Sequence, residues 1–81
     1  MKEVVIRAKD GLHARPIAEF VRLAETHAGE VIVSKQEQSV NGKSVLRLLT
    51  LGVVQGDVVR VEVTGNPELE QRLADYLHSV D

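Results

Sequence analysis

Three segments of this chain carry apolar residues at helical spacing, and each stripe must be buried on something. In the first, Ile17, Phe20, Val21, Ala24 and Ala28 fall at i, i+3, i+4, i+7 and i+11. Pro16 stands in its first turn, where a missing N–H costs nothing, and Gly29 follows as a stop. The second is short, Ser44 to Leu51, with Ser44 placed to cap it and Gly52 to end it. The third opens on Asn66-Pro67-Glu68, a cap, a first-turn proline and an acid suited to the helix dipole. Leu69, Leu73, Tyr76, Leu77 and Val80 supply its stripe.

Four strand-like stretches lie between them: Glu3 to Ala8, Val31 to Ser34, the weaker Gln38 to Asn41, and Asp57 to Val63. In the last, Val59, Val61 and Val63 alternate with Val58, Arg60 and Glu62, the pattern of a half-exposed antiparallel strand. The order is therefore β-α-β-β-α-β-α. A chain of 81 residues buries only about 60–65% of its unfolded surface, and with no cysteine it has no disulfide to help. All three helices must share one core. One antiparallel sheet with the helices on one face, an open-faced two-layer α/β sandwich of the α+β class, satisfies this, as a single domain over 1–81.

Composition removes several functions. Ten Lys+Arg stand against 12 Asp+Glu, a formal net charge of −2, and Phe20 and Tyr76 are the only aromatics. Neither a basic stripe nor stacking platforms for nucleic acid are present. No apolar run approaches the length of a membrane span, and the opening Met1-Lys2-Glu3-Val4 is strand-like, not a signal region. A cytoplasmic address is the expectation. Three histidines without cysteine or a His-x-x-x-His pair make no metal site, and no nucleotide loop or nucleophile elbow occurs, so no cofactor is expected.

The stretch Lys9-Asp10-Gly11-Leu12-His13-Ala14-Arg15-Pro16 carries the chemistry. A strand ends, Gly11 allows a tight turn, and a helix begins near His13 or Ala14. This sets the imidazole beside free helix amides, which with the helix dipole attract an anion. Pro16 has no N–H, leaving the amides of Ala14 and Arg15 as donors, and the Arg15 guanidinium adds a fork suited to phosphate oxygens. A neutral imidazole nitrogen in an anion pocket is equipped for covalent phosphoryl capture. On spacing alone, a plain cap or surface histidine also fits. His27 and His78, toward helix C-termini, read as dipole partners.

In the second helix, Ser44 serves as a cap while Val45, Leu48 and Leu51 face the core. Leu46 and Leu49 then point to solvent beside Arg47, an apolar docking patch rimmed by charge. On the first helix, Arg15, Ala18 and Arg22 share an outward face, and the small Ala14 and Ala18 let a partner approach. Side by side, the two helices would form one surface around His13, with Arg15, Arg22, Lys43 and Arg47 as a basic cluster.

Gly11-Leu12-His13-Ala14-Arg15-Pro16 resembles the phosphorylation-site motif of HPr, the histidine-containing phosphocarrier of the bacterial phosphoenolpyruvate:sugar phosphotransferase system. The resemblance extends to Lys43-Ser44, Thr50-Leu51-Gly52, Gln55-Gly56 and the overall length, and is weakest from Asn66 onward. It implies a sheet in the order 1-4-2-3 with three helices on one face. It implies that His13 takes a phosphoryl group on Nδ1 from phospho-enzyme I, ultimately from phosphoenolpyruvate. The group then passes to a histidine of the A-type component of a sugar-specific enzyme II. The chain would thus be a carrier, not an enzyme. Arg15 matches the arginine that supports the phosphohistidine. Ser44 matches the serine modified by a regulatory kinase, the HPr kinase/phosphorylase. Leu46, Arg47, Leu49 and Thr50 match a docking surface. Asp10 departs from the pattern: many members have Asn or Ser there, and a carboxylate cannot donate to phosphate. A carrier serving several partners through one face is most simply a monomer. Two alternatives stay open, the nitrogen-related paralogue with regulatory output and a regulatory binding module without phosphoryl chemistry.

Overall fold

The computed structural model describes all 81 residues, Met1–Asp81. Its elements are β1 (Lys2–Val5), α1 (Ala14–Ala24), β2 (Val31–Lys35), β3 (Gln38–Asn41), α2 (Val45–Thr50), β4 (Val58–Val63) and α3 (Pro67–Ser79). The strands form one antiparallel sheet in the order β1-β4-β2-β3. This is the architecture and strand order expected, with α1, α2 and α3 layered on one face.

The register shows why that face is covered. Val59 of β4 lies opposite Val4, Val61 opposite Val33, and Val63 opposite Val31. All six side chains are buried, and they meet Ile17 and Phe20 of α1, Leu48 of α2, and Leu69, Leu73 and Leu77 of α3 in one core. Each of the larger side chains contributes about 1.5–3 kcal/mol by leaving water. The other face stays open: Val5 lies opposite Val58 and both are exposed. Ser34 is buried on that side because its hydroxyl pairs with that of Ser39 at 2.8 Å and Arg60 lies opposite it.

Four local readings are corrected. α1 ends at Ala24, not at Ala28, which is exposed in the following loop. There the Thr26 hydroxyl donates back to the Leu23 carbonyl at 2.7 Å, and the His27 ring meets the Thr64 carbonyl at 2.8 Å. These contacts draw the chain off the helix axis, so His27 is a loop residue bridging to the β4–α3 turn. The ladder of β1 stops at Val5, although Ile6 and Ala8 are fully buried. Ile6 instead exchanges bonds with Asp57 and Gly56, ahead of β4. Val45 is 37% exposed, not a core residue. Tyr76 and Val80 are only half-buried.

Periodicity also does not reveal Glu70, a buried carboxylate on α3. One oxygen pairs with the Met1 amino group at 2.9 Å, and the other accepts the Val63 amide at 3.0 Å. The amino group first, and the amide second, hold Glu70 below the usual carboxylate range. Asp57 is held low in the same way, first by the Val54 amide at 2.9 Å and then by Lys35 at 2.9 Å. Both folded pKa values lie below their unfolded ones. Their stabilisation is therefore present above about pH 4–4.5 and is lost as pH falls through the lower, folded values. Urea unfolding from pH 7 to pH 3 should show falling stability. Asp57→Asn with Glu70→Gln should flatten that dependence, and an unchanged slope would discard both assignments.

Candidate functional site

Residues 8–13 are fixed from two sides. The Gly11 amide closes a turn onto the Ala8 carbonyl at 2.9 Å, and Leu12 is buried with its amide on the Val53 carbonyl at 3.1 Å. Gly11 has φ +64, and a Cβ there would stand 2.1 Å from the Val53 carbonyl oxygen and 2.8 Å from Val54 Cα. The loop it packs on is itself tied down: Asp57 takes the Val54 amide, and Lys35 bonds both Asp57 and the Gly52 carbonyl. The sheet thus determines where the chain leaves Leu12.

His13 is the N-cap residue of α1, in extended backbone conformation, and its side chain does not cap the helix. Its carbonyl accepts the first helical bond, from Ile17 at 3.2 Å. Pro16 has no N–H, so the first-turn amides left to an outside anion are those of Ala14 and Arg15. His13, Ala14 and Arg15 are all exposed. Asp10 lies in the exposed turn; because His13 holds the N-cap position, the carboxylate does not cap α1.

His13, Arg15 and Pro16 form one side of a cleft of ≈ 290 Å³. The other side is built by the end of α3 and the C-terminal residues beyond it: Tyr76, Ser79, Val80 and Asp81. The sequence reading misses this wall, since it treats Tyr76 and Val80 as core only. The signal was their position at the edge of the stripe, in the helix's last turns.

α2 packs beside α1 and runs back toward His13. Lys43, just before α2, donates to the His27 carbonyl beyond the end of α1. After α2, the chain reaches Val53 against Gly11 and Leu12. Ala14, Ala18, Arg22, Leu46, Arg47, Leu49 and Thr50 are all exposed, with Leu46 at 71% the most open of the large apolar side chains. Ser44 caps α2, its hydroxyl accepting the Arg47 amide at 3.2 Å. It starts α2 at the end remote from His13 and does not line the His13 cleft.

The expected basic cluster around His13 is corrected. Lys43 is held at the far end of α1. Arg22 is paired with Glu19, whose carboxyl it holds below the usual range through a hydrogen bond. Of the four cations only Arg15 borders the His13 cleft. The reason is distance along the helices: Arg22 shares a face with Arg15 but lies two turns further along α1, and the antiparallel course of α2 sets its entry, with Lys43, at the far end of α1.

The profile of the family described as "PTS HPr component phosphorylation site" matches residues 1–79. The chain belongs to the HPr family. An HPr relative, the phosphocarrier protein HPr of Vibrio cholerae, is 37% identical over 83 residues, covering 95% of this chain and 96% of that one. The crystal structure of HPr from Bacillus anthracis superposes with a TM-score of 0.79 at 30% identity, covering 94% and 93%. That of Crh from Bacillus subtilis, described as a catabolite repression protein in a domain-swapped dimer, gives 0.76 at 35% identity, covering 95% and 91%. The HPr family is one of phosphocarriers, not catalysts. No helix of this HPr-family chain is long and apolar enough to cross a membrane.

Proposed function

We propose that this chain, acting as one folded unit in the cytoplasm, carries phosphoryl groups on His13 from phospho-enzyme I to the A-type component of a sugar-specific enzyme II. The observation that carries the reading is an imidazole at a helix N-terminus that caps nothing, beside two first-turn amides without protein partners. In the transfer, an imidazole nitrogen of His13, Nδ1 by family likeness, forms a bond to phosphorus. The bond to the donor breaks, and the donor keeps the electron pair. The amides of Ala14 and Arg15 and the Arg15 guanidinium stabilise the phosphoryl oxygens, and the partner supplies the rest of each site. The test is incubation of the protein with enzyme I and labelled phosphoenolpyruvate. An acid-labile, base-stable phosphoprotein is expected; its absence would end the reading.

Docking is assigned to the exposed surface of Ala14, Ala18, Arg22, Leu46, Arg47, Leu49 and Thr50, with the carrier working as a monomer. Ser44 is the regulatory site for a kinase of the HPr kinase/phosphorylase type. A phosphate there adds about −1.5 to −2 charge at a helix N-terminus, where the fold tolerates it, while its field changes the docking face. Ser44→Asp keeps a capping side chain and so should unfold in urea like the wild type, with slower transfer from enzyme I. Ser44→Ala should lose about 1 kcal/mol with transfer retained. Equal transfer by wild type and Ser44→Asp would remove the regulatory role.

The likeness to Crh supports a second reading, a regulatory binding module related to catabolite repression. Retained partner binding by His13→Ala, with an unlabelled wild type, would favour it.

A further inference from the structure

Tyr76 sits between the core and the His13 cleft. Its ring packs against the core cluster, and the same half-buried side chain forms the cleft wall facing His13, Arg15 and Pro16. Its backbone is fixed by the last turn of α3, where the Ser79 hydroxyl donates to the Tyr76 carbonyl at 2.7 Å.

Arg15 is exposed and takes part in none of the three ion pairs of the fold, which join Met1 to Glu70, Arg22 to Glu19 and Lys35 to Asp57. Glu19, one turn beyond Arg15 on α1, would be its natural partner. That carboxylate is occupied by both nitrogens that Arg22 offers it. Arg15 is therefore a long, unpaired side chain that must give up rotamer freedom to present its fork to a phosphoryl group. A rigid neighbour that already limits where the guanidinium can go lowers that cost. Tyr76 is the one aromatic of the cleft. Burial pushes its phenol up; the charge of Glu19 adds to this and that of Arg15 opposes it.

We infer that Tyr76 is a positioning residue for phosphoryl transfer, its ring confining the Arg15 guanidinium to the mouth of the His13 cleft. The inference rests on the carrier reading above. Tyr76 touches no reacting atom and acts through Arg15. A partner histidine entering the cleft meets an arginine already held near its working position.

The test is a double-mutant cycle on the full chain, with purified enzyme I and labelled phosphoenolpyruvate, reading initial rates of labelling. Tyr76→Leu keeps apolar packing but loses the ring, and should slow transfer about five- to tenfold. Tyr76→Phe keeps the ring and should recover most of the rate. In an Arg15→Ala background, Tyr76→Leu should bring no further loss, since nothing remains to be positioned. Losses that multiply in the double variant would overturn the inference, as would a wild-type rate in Tyr76→Leu. Urea midpoints are measured on every variant. If Tyr76→Leu does not fold, Tyr76→Met takes its place in the cycle. A wild type that takes no label would remove the carrier reading and this inference together; a labelled wild type with an additive cycle removes this inference alone.

Discussion

His13→Ala should take no label from enzyme I and phosphoenolpyruvate, while its urea midpoint stays at the wild-type value. Both halves follow from the same geometry. The His13 side chain is exposed and makes no capping bond, so its removal leaves no buried group unsatisfied and no helix end uncapped. A capping side chain would instead cost about 1 kcal/mol on truncation. What is lost is the only nucleophile in the cleft suited to hold a phosphoryl group on nitrogen. His78→Ala, on the exposed face of the last turn of α3, is the control and should label normally. Label on His13→Ala would move the acceptor elsewhere. A fall in its midpoint of the size of a lost cap would show that His13 serves the helix rather than a phosphoryl group.

Gly11→Ala should be far more damaging to the fold, and Gly52→Ala provides the measure. Both glycines are left-handed, φ +64 and φ +61, so alanine costs about 1–2 kcal/mol at either. At Gly52 a Cβ would meet nothing within 4 Å. At Gly11 it would lie 2.1 Å from a backbone oxygen, in a loop that Asp57 and Lys35 prevent from yielding. The total at Gly11 should reach roughly 3 kcal/mol or more, read as a fall in urea midpoint. Relief of the clash must also shift Leu12 and with it His13, so labelling should slow even where the protein remains folded. Equal losses at the two glycines would show that the close approach to Val53 has no energetic consequence.

These two positions differ in how legible they are. His13 is visible in the sequence because its surroundings are local: a glycine turn before it, a proline three residues after it, and a helical stripe beginning at Ile17. The same locality made α2's exposed Leu46 and Leu49 readable from a surplus of leucine over one buried stripe. The alternation of Val59, Val61 and Val63 made the central strand readable. The reach of Gly11 toward Val53 was not readable, because it joins residues forty-two positions apart through a loop with no periodicity.

The misreadings share that cause. Ala28 continues the spacing of α1, but the helix ends at Ala24 and the His27 ring meets the Thr64 carbonyl of the β4–α3 turn. Nothing in the spacing marks Glu70 as buried, because it is the sheet that brings the Val63 amide and the Met1 amino group to it. Lys43 and Arg22 look like members of one basic cluster, yet Lys43 bonds the His27 carbonyl beyond the far end of α1 and Arg22 is paired with Glu19.

By itself, then, the order of residues determined the element types, the single apolar face each must bury, and the imidazole beside two free amides. Those depend on interactions within a turn or two of the chain, where spacing along the sequence is spacing in the molecule. Tertiary structure alone decided that α3 supplies the second wall of the His13 cleft, that Tyr76 and Arg15 line that cleft together, and that Ser44 lies outside it. Those depend on how three helices settle on one sheet, and burial of apolar area, which drives that settling, has no direction along the chain.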